Sequence, residues 1–207
     1  MAYRIISKKI KYRGFWAKIE ELDIKLPDGR VVKWENIISD DAVAIVALDK
    51  EKNIYLAKEW RPAWQREVLQ IPSGMCASKT EKGIMIPASR DPGNFSYRKI
   101  LKQARNELRE EIGLDAKKWE KFITFFLGGR HRAKIHIFLA QDLYKSAKEP
   151  DEGETIEVVK MPFAKACRDF LSGKILTTGH TLVGLALARE RYLDKPPFRF
   201  SPLRKSK

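Results

Sequence analysis

The run Asp41-Ala42-Val43-Ala44-Ile45-Val46-Ala47-Leu48-Asp49 sets an uninterrupted apolar stretch between two aspartates. It has no polar face to show to water, so it reads as a strand buried on both sides. Lys50-Glu51-Lys52-Asn53 closes it with a turn. Upstream, from Tyr3 to Trp34, apolar and polar residues alternate in runs such as Leu22-Asp23-Ile24-Lys25-Leu26, the period of strands with one wet face. Pro27-Asp28-Gly29-Arg30 supplies turn chemistry, and Val31-Val32-Lys33-Trp34-Glu35 resumes the extended pattern, so a hairpin is expected there.

Further strands follow at Ile54–Arg61 and at Glu67–Gly74, the second ending on the breaker pair Ser73-Gly74. Met75 to Pro92 has no clear period and reads as a long loop. A helix is expected from Asn94 or Ser96, both suited to cap its start, to Gly113 at its end, with Leu101, Ala104, Leu108 and Ile112 on one apolar stripe. Aromatic and β-branched strands at Phe122–Leu127 and Ile135–Ala140 come next. An acidic loop at 149–154 then leads into Ile156-Glu157-Val158-Val159, and Phe163–Leu171 and Thr181–Tyr192 show helical spacing. This order of elements indicates a mixed α/β layered domain behind a small β-rich N-terminal piece.

The 207 residues, 43% of them hydrophobic, suffice for the core of one large domain, or of one with a small appendage. No run approaches the roughly 18 apolar residues of a membrane helix, and the first residues lack the apolar centre of a secretory signal, so a cytoplasmic protein with no membrane partner is expected. Cys76 and Cys167 stand far apart with no companion Cys or His at ligand spacing; two reduced, partly buried thiols are expected. The net charge of +14 raises the question of nucleic acid. Lys8, Lys9, Lys11, Arg13 and Lys18 crowd one end and Arg204, Lys205 and Lys207 the other, but most other cations are interleaved with Asp and Glu. That scatter suits a solvated surface or a polyanionic small substrate, so nucleic acid is not the favoured partner.

Glu107, Glu110 and Glu111 stand at i, i+3 and i+4. On a helix such spacing projects all three carboxylates from one side, while Leu108 and Ile112 face the core. Like charges so close repel unless cations neutralise them, and hard divalent ions such as Mg²⁺ do so with oxygen ligands. The plain alternative is a solvated helix face with Lys102, Arg105 and Arg109 as ion-pair partners.

Glu107-Leu108-Arg109-Glu110-Glu111-Ile112-Gly113-Leu114 resembles the second half of the Nudix box. Leu26-Pro27-Asp28-Gly29, the 42–49 run, Glu59-Trp60-Arg61, Ile71-Pro72-Ser73-Gly74, Ile135–Ala140 and Ser172–Ile175 with His180-Thr181 are similar in content and order to ADP-ribose pyrophosphatases. The resemblance implies an α/β (α+β) fold, a Nudix-like sandwich of a mixed β-sheet between helices with a small antiparallel N-terminal β region. It also implies three parts: an N-terminal β-rich dimerisation region over 1–40, a catalytic domain over 41–195 and a basic tail over 196–207. By carry-over, Glu107 and Glu111 are the principal ligands of Mg²⁺ or Mn²⁺, with Glu110 a further ligand or an orienting carboxylate. Glu152 or Glu154 of the acidic loop is the general base, against the alternative of a plain surface loop. Arg61 is assigned to the diphosphate or terminal ribose. Trp60 offers a surface near the base, although an aromatic at a strand end is more often core. His136 is expected to be a satisfied structural histidine.

The pattern is broken where Asn106 replaces the box Arg, Arg98 the earlier box Glu and Pro92 the box Gly. Gln70 also stands where these pyrophosphatases usually carry Glu. Losing the Arg removes a cation that would hold the carboxylates in place, and Arg105 and Arg109 point elsewhere because one residue turns a helix by about 100°. The implied activity is metal-dependent hydrolysis of the diphosphate of ADP-ribose or a related nucleoside diphosphate-sugar, in a homodimer. The alternatives are a catalytically weak domain that binds a nucleotide as sensor or partner module, and an RNA-processing enzyme.

Overall fold

The computed structural model describes residues 2–76, 95–148 and 155–192. Strands β1 (Arg4–Arg13), β2 (Ala17–Lys25), β3 (Val31–Ser39), β4 (Ala42–Leu48), β5 (Asn53–Arg61), β6 (Arg66–Gln70) and β7 (Ser73–Met75) precede helix α1 (Tyr97–Glu111). After it come β8 (Leu114–Phe126), β9 (His131–Arg132), β10 (Lys134–Lys145), β11 (Ile156–Pro162), α2 (Phe163–Leu171) and α3 (Gly179–Tyr192). The architecture is mixed α+β, and the chain divides into two compact units. One comprises Met1–Val43, Met75–Gln103 and Thr124–His136; the other comprises Ala44–Gly74, Ala104–Ile123 and Ile137–Lys207.

In the first unit β1, β2 and β3 form an antiparallel meander, and β9 adds to β3 in parallel. The expected hairpin closes where Leu26 and Arg30 pair through their backbones and Gly29 takes φ +92°, a conformation open to Gly at little cost. His136 is satisfied, as the family resemblance implied. Its Nδ1 meets the Thr124 hydroxyl at 2.9 Å and its Nε2 the buried Asp41 carboxylate at 3.2 Å, while Asp41 also accepts the Lys134 N–H.

The second sheet has the order β11-β5-β4-β10-β8, with β6 on β5 and β7 on β4. Residues 43–48 are buried throughout, as an apolar run without a wet face requires. Helix α2 packs on β11, β5 and α3. Gly184 of α3 lies so close to the sheet that a Cβ there would meet Ile71 and Val46 side chains at 3.0 Å. Both cysteines are buried and reduced, and burial pushes the Cys167 thiol up to about 12.

Two expectations change. The strand expected to run through to Gly74 breaks at Ile71-Pro72, and Ser73-Gly74 begin a new strand. Proline lacks the N–H a ladder needs; its carbonyl instead accepts the Ile45 N–H at 2.9 Å. On α1 the buried line is Ile100, Ala104, Leu108 and Ile112, with Leu101 only half-buried. Ser96 does cap the helix, its hydroxyl accepting the Lys99 N–H at 3.4 Å.

Gly113 ends α1 with φ +75°, and an added Cβ would meet only Ala147 Cβ at 3.8 Å. Steric room is therefore not the constraint; backbone conformation is. Gly113→Ala is expected to cost about 1 kcal/mol, read as a lower denaturant midpoint with unchanged slope.

Candidate functional site

The second unit gathers the candidate site around the break at Pro72. Glu107 and Glu111 are one turn apart on α1, and both reach the short segment that follows the proline. The Ser73 N–H donates to Glu111 Oε2 at 3.2 Å. A Cβ built on Gly74 would fall on the Glu107 carboxyl group, so only a glycine leaves that carboxylate its place. Glu111 is 6% exposed, which makes its N–H contact matter: a buried carboxylate without donors is costly.

The third carboxylate turns to another partner. Glu110, 8% exposed, forms an ion pair with Lys148. The Lys148 N–H donates to Arg109 O and the Ser146 N–H to Gly113 O. Residues 146–148 therefore cap the end of α1, placing a cation where the helix dipole is negative. Nothing in the local sequence marks Lys148 for this role, because its partner lies 38 residues away.

The two arginines flanking Asn106 do not take up the missing role. Arg105 donates to Ala116 O at 3.3 Å, lies 3.8 Å from Asp115 and sits over the Trp119 ring. Arg109 donates to Ser146 O. Both directions agree with the 100° rotation argued from the sequence.

Helix α3 holds the strand that leads into the site. Thr177 donates to Leu69 O at 2.7 Å, the Ile71 N–H donates to Thr181 Oγ1 at 3.2 Å, and Thr178 links Thr181 to half-buried His180. His180 is pushed down to about 4, first by burial and then by the positive charge of Arg61. These clasp residues were not singled out for function, since isolated Thr and His residues carry no spacing signal. Gln70 is fully buried, and neither end of its amide meets a hydrogen-bond partner among the described residues.

Arg61 is held by Glu59 at 2.8 Å. Trp60 is 54% exposed; the reading of it as core is corrected, because it stands near the end of β5, opposite Glu67 of β6 and past the last β11 pair at Glu59, with its ring in water. Glu152 and Glu154 lie outside the described residues.

Two carboxylates, Glu107 and Glu111, meet over one glycine, and among the described residues no set of three or more His, Cys, Asp or Glu gathers as a cage. That donor set fits a hard divalent cation of the kind held by one or two carboxylates together with substrate phosphates and water. A closed, all-protein site of the zinc kind is not what these residues make.

No protein-family model matches the chain. It is 30% identical to the ADP-ribose pyrophosphatase of Bacillus subtilis over 168 residues, 80% of this chain and 81% of that protein. It is 26% identical to the methanol dehydrogenase activator of Bacillus methanolicus, over 84% and 85% of the two chains. The crystal structure of an ADP compounds hydrolase superposes with a TM-score of 0.73 at 23% identity, covering 92% of this chain and 94% of that one. No helix among the described residues is long and apolar enough to cross a membrane.

His180 yields a pH prediction. Its folded value of about 4 lies below the ordinary 6.5, so between these the unfolded chain binds more protons and stability rises with pH. The contribution is complete above about 6.5 and is lost as pH falls towards 4. The imidazole of His131, also lowered by burial, acts in the same direction. The fall in melting temperature from pH 7 to pH 5 is therefore expected to be smaller in His180→Gln than in the unaltered chain, without vanishing.

Proposed function

We propose, for a chain that belongs to the Nudix hydrolases and is of the ADP-ribose pyrophosphatase kind, the hydrolysis of the diphosphate of ADP-ribose or a related nucleoside diphosphate-sugar. The products are a nucleoside monophosphate and a sugar phosphate. The observation that carries this reading is the convergence of Glu107 and Glu111 on Ser73-Gly74, where a missing side chain makes room for a carboxylate.

Glu107 and Glu111 are the residues that would hold Mg²⁺ or Mn²⁺. When bound, such a cation neutralises charge on the diphosphate oxygens and makes an attacking water more acidic. The protein's own contribution is orientation. The Ser73 N–H fixes one oxygen of Glu111, and the Lys148 ion pair steadies Glu110 at the helix end, where it orients its neighbours or serves as a further ligand. Arg61 carries the planar fork of donors that suits phosphate oxygens. The exposed Trp60 ring offers a face to the base. Glu152 or Glu154 is assigned the proton of the attacking water. Asn106 supplies no cation to the cluster, so turnover slower than that of an intact box is expected.

The homodimer rests on the first unit. Tyr3, Ile5 and Trp34 are exposed and line an apolar groove of about 450 Å³ with Ile24, Leu26 and Val32. Exposed apolar area of this kind marks an association surface. Light scattering is expected to return twice the chain mass of 23.9 kDa, and Tyr3→Glu with Ile5→Glu to shift the protein towards the monomer.

The activity is tested by mixing purified protein with ADP-ribose and other nucleoside diphosphate compounds in Mg²⁺ or Mn²⁺ and identifying the products. AMP and ribose 5-phosphate are expected from ADP-ribose, with no release in EDTA. Glu111→Gln is expected to lower kcat/KM by about 100-fold or more, since even outer-shell partners of a metal ligand are worth about 10- to 100-fold. Tight nucleotide binding without turnover in either metal would leave a binding module in place of the enzyme.

A further inference from the structure

Arg130 and Arg132 belong to the first unit, Arg130 in the link after β8 and Arg132 on β9, which pairs with β3. Together with Asn36, Phe126 and Gly129 they line an open cavity of about 600 Å³, a size within the range of small-ligand sites. No carboxylate contributes to that lining. Some cations of the same unit face acids: Lys8 meets Glu20, Lys11 meets Glu21, and Lys33 meets Glu21 and Asp23. Among the described residues neither Arg130 nor Arg132 has a carboxylate partner. Arg130 lies over the Trp34 ring at 4.2 Å, a contact that satisfies its charge only in part.

The rest of the lining is suited to a ligand. A Cβ at Gly129 would meet nothing within 4 Å, so a ligand can approach the backbone closely there. Between the arginines, His131 is tied to the Ser39 hydroxyl at 2.7 Å, and burial lowers its pKa. It ties β9 to β3. Phe126 is 77% exposed, a large apolar ring left in water beside two guanidinium groups. Two forks of donors suit a phosphate dianion, and a free aromatic face suits a planar base.

We propose that this cavity is a metal-independent site for a nucleoside phosphomonoester, with Arg130 and Arg132 on the phosphate and Phe126 against the base. It uses none of the carboxylates of the hydrolytic site and goes beyond the hydrolysis proposed above.

Titration calorimetry of the full chain in EDTA tests it. Without divalent ions the Glu107–Glu111 pair repels phosphates, so the heat reads the basic cavity. The probes are 5′-AMP, ribose 5-phosphate, inorganic phosphate and adenosine. Saturable binding of 5′-AMP is expected, tighter than that of ribose 5-phosphate or inorganic phosphate, with adenosine weakest. Arg132→Gln is expected to weaken 5′-AMP by about tenfold or more, the loss of one charge-assisted contact. Phe126→Ala is expected to bring 5′-AMP down to the level of ribose 5-phosphate. Glu111→Gln is expected to keep this binding while losing hydrolysis, which separates the two sites. Absence of saturable binding in EDTA, equal binding of adenosine and 5′-AMP, or an Arg132→Gln protein that binds normally would each overturn the proposal.

Discussion

A proline that cannot donate a hydrogen bond governs the second unit. Pro72 interrupts the strand, its carbonyl is claimed by the Ile45 N–H, and the chain restarts at Ser73. That restart frees the Ser73 N–H for Glu111 and brings the bare Cα of Gly74 beneath Glu107. Had the ladder continued through residue 73, its N–H would be spent on a neighbouring strand. The threonines at the start of α3 hold the same segment at Leu69 and Ile71, so the break has a defined position.

The end of α1 is an electrostatic problem with a visible solution. Two buried carboxylates sit in the last turn, where the helix dipole already disfavours negative charge. Lys148 and the backbone donors of residues 146–148 answer one of them, and the Ser73 N–H answers the other. The arrangement couples helix termination to carboxylate placement. Gly113 lets the chain reverse, and the returning chain brings the cation.

Much of this was legible in the sequence because it rests on local chemistry. The buried strand at 42–48, the hairpin at Gly29 and the Ser96 and Gly113 helix ends follow from apolar runs, turn residues and caps, while the satisfied role of His136 follows from the family resemblance. The spacing of Glu107, Glu110 and Glu111 pointed to one shared face, but only Glu107 and Glu111 meet at Ser73-Gly74, while Glu110 turns to Lys148. The strand expected over 67–74 instead breaks at Ile71-Pro72, where the absent N–H of proline decides the matter. Trp60 was read as core because aromatic residues usually are, and its register on the outer stretch of β5 beside Glu67 is a property of pairing, not of composition. Lys148, Thr177 and Thr181 act through partners 38 to 110 residues away, and periodicity carries no information at that range.

Gly74 also limits which side chain this position can carry. Elsewhere in a strand, glycine to alanine is among the milder of changes. Here the methyl group would take the volume that one carboxylate occupies, while the sheet and the Ser73 contact are made by backbone atoms any residue has. A methyl group at this position therefore displaces the far end of Glu107 without removing any backbone contact, and the change is felt first in where that carboxylate sits.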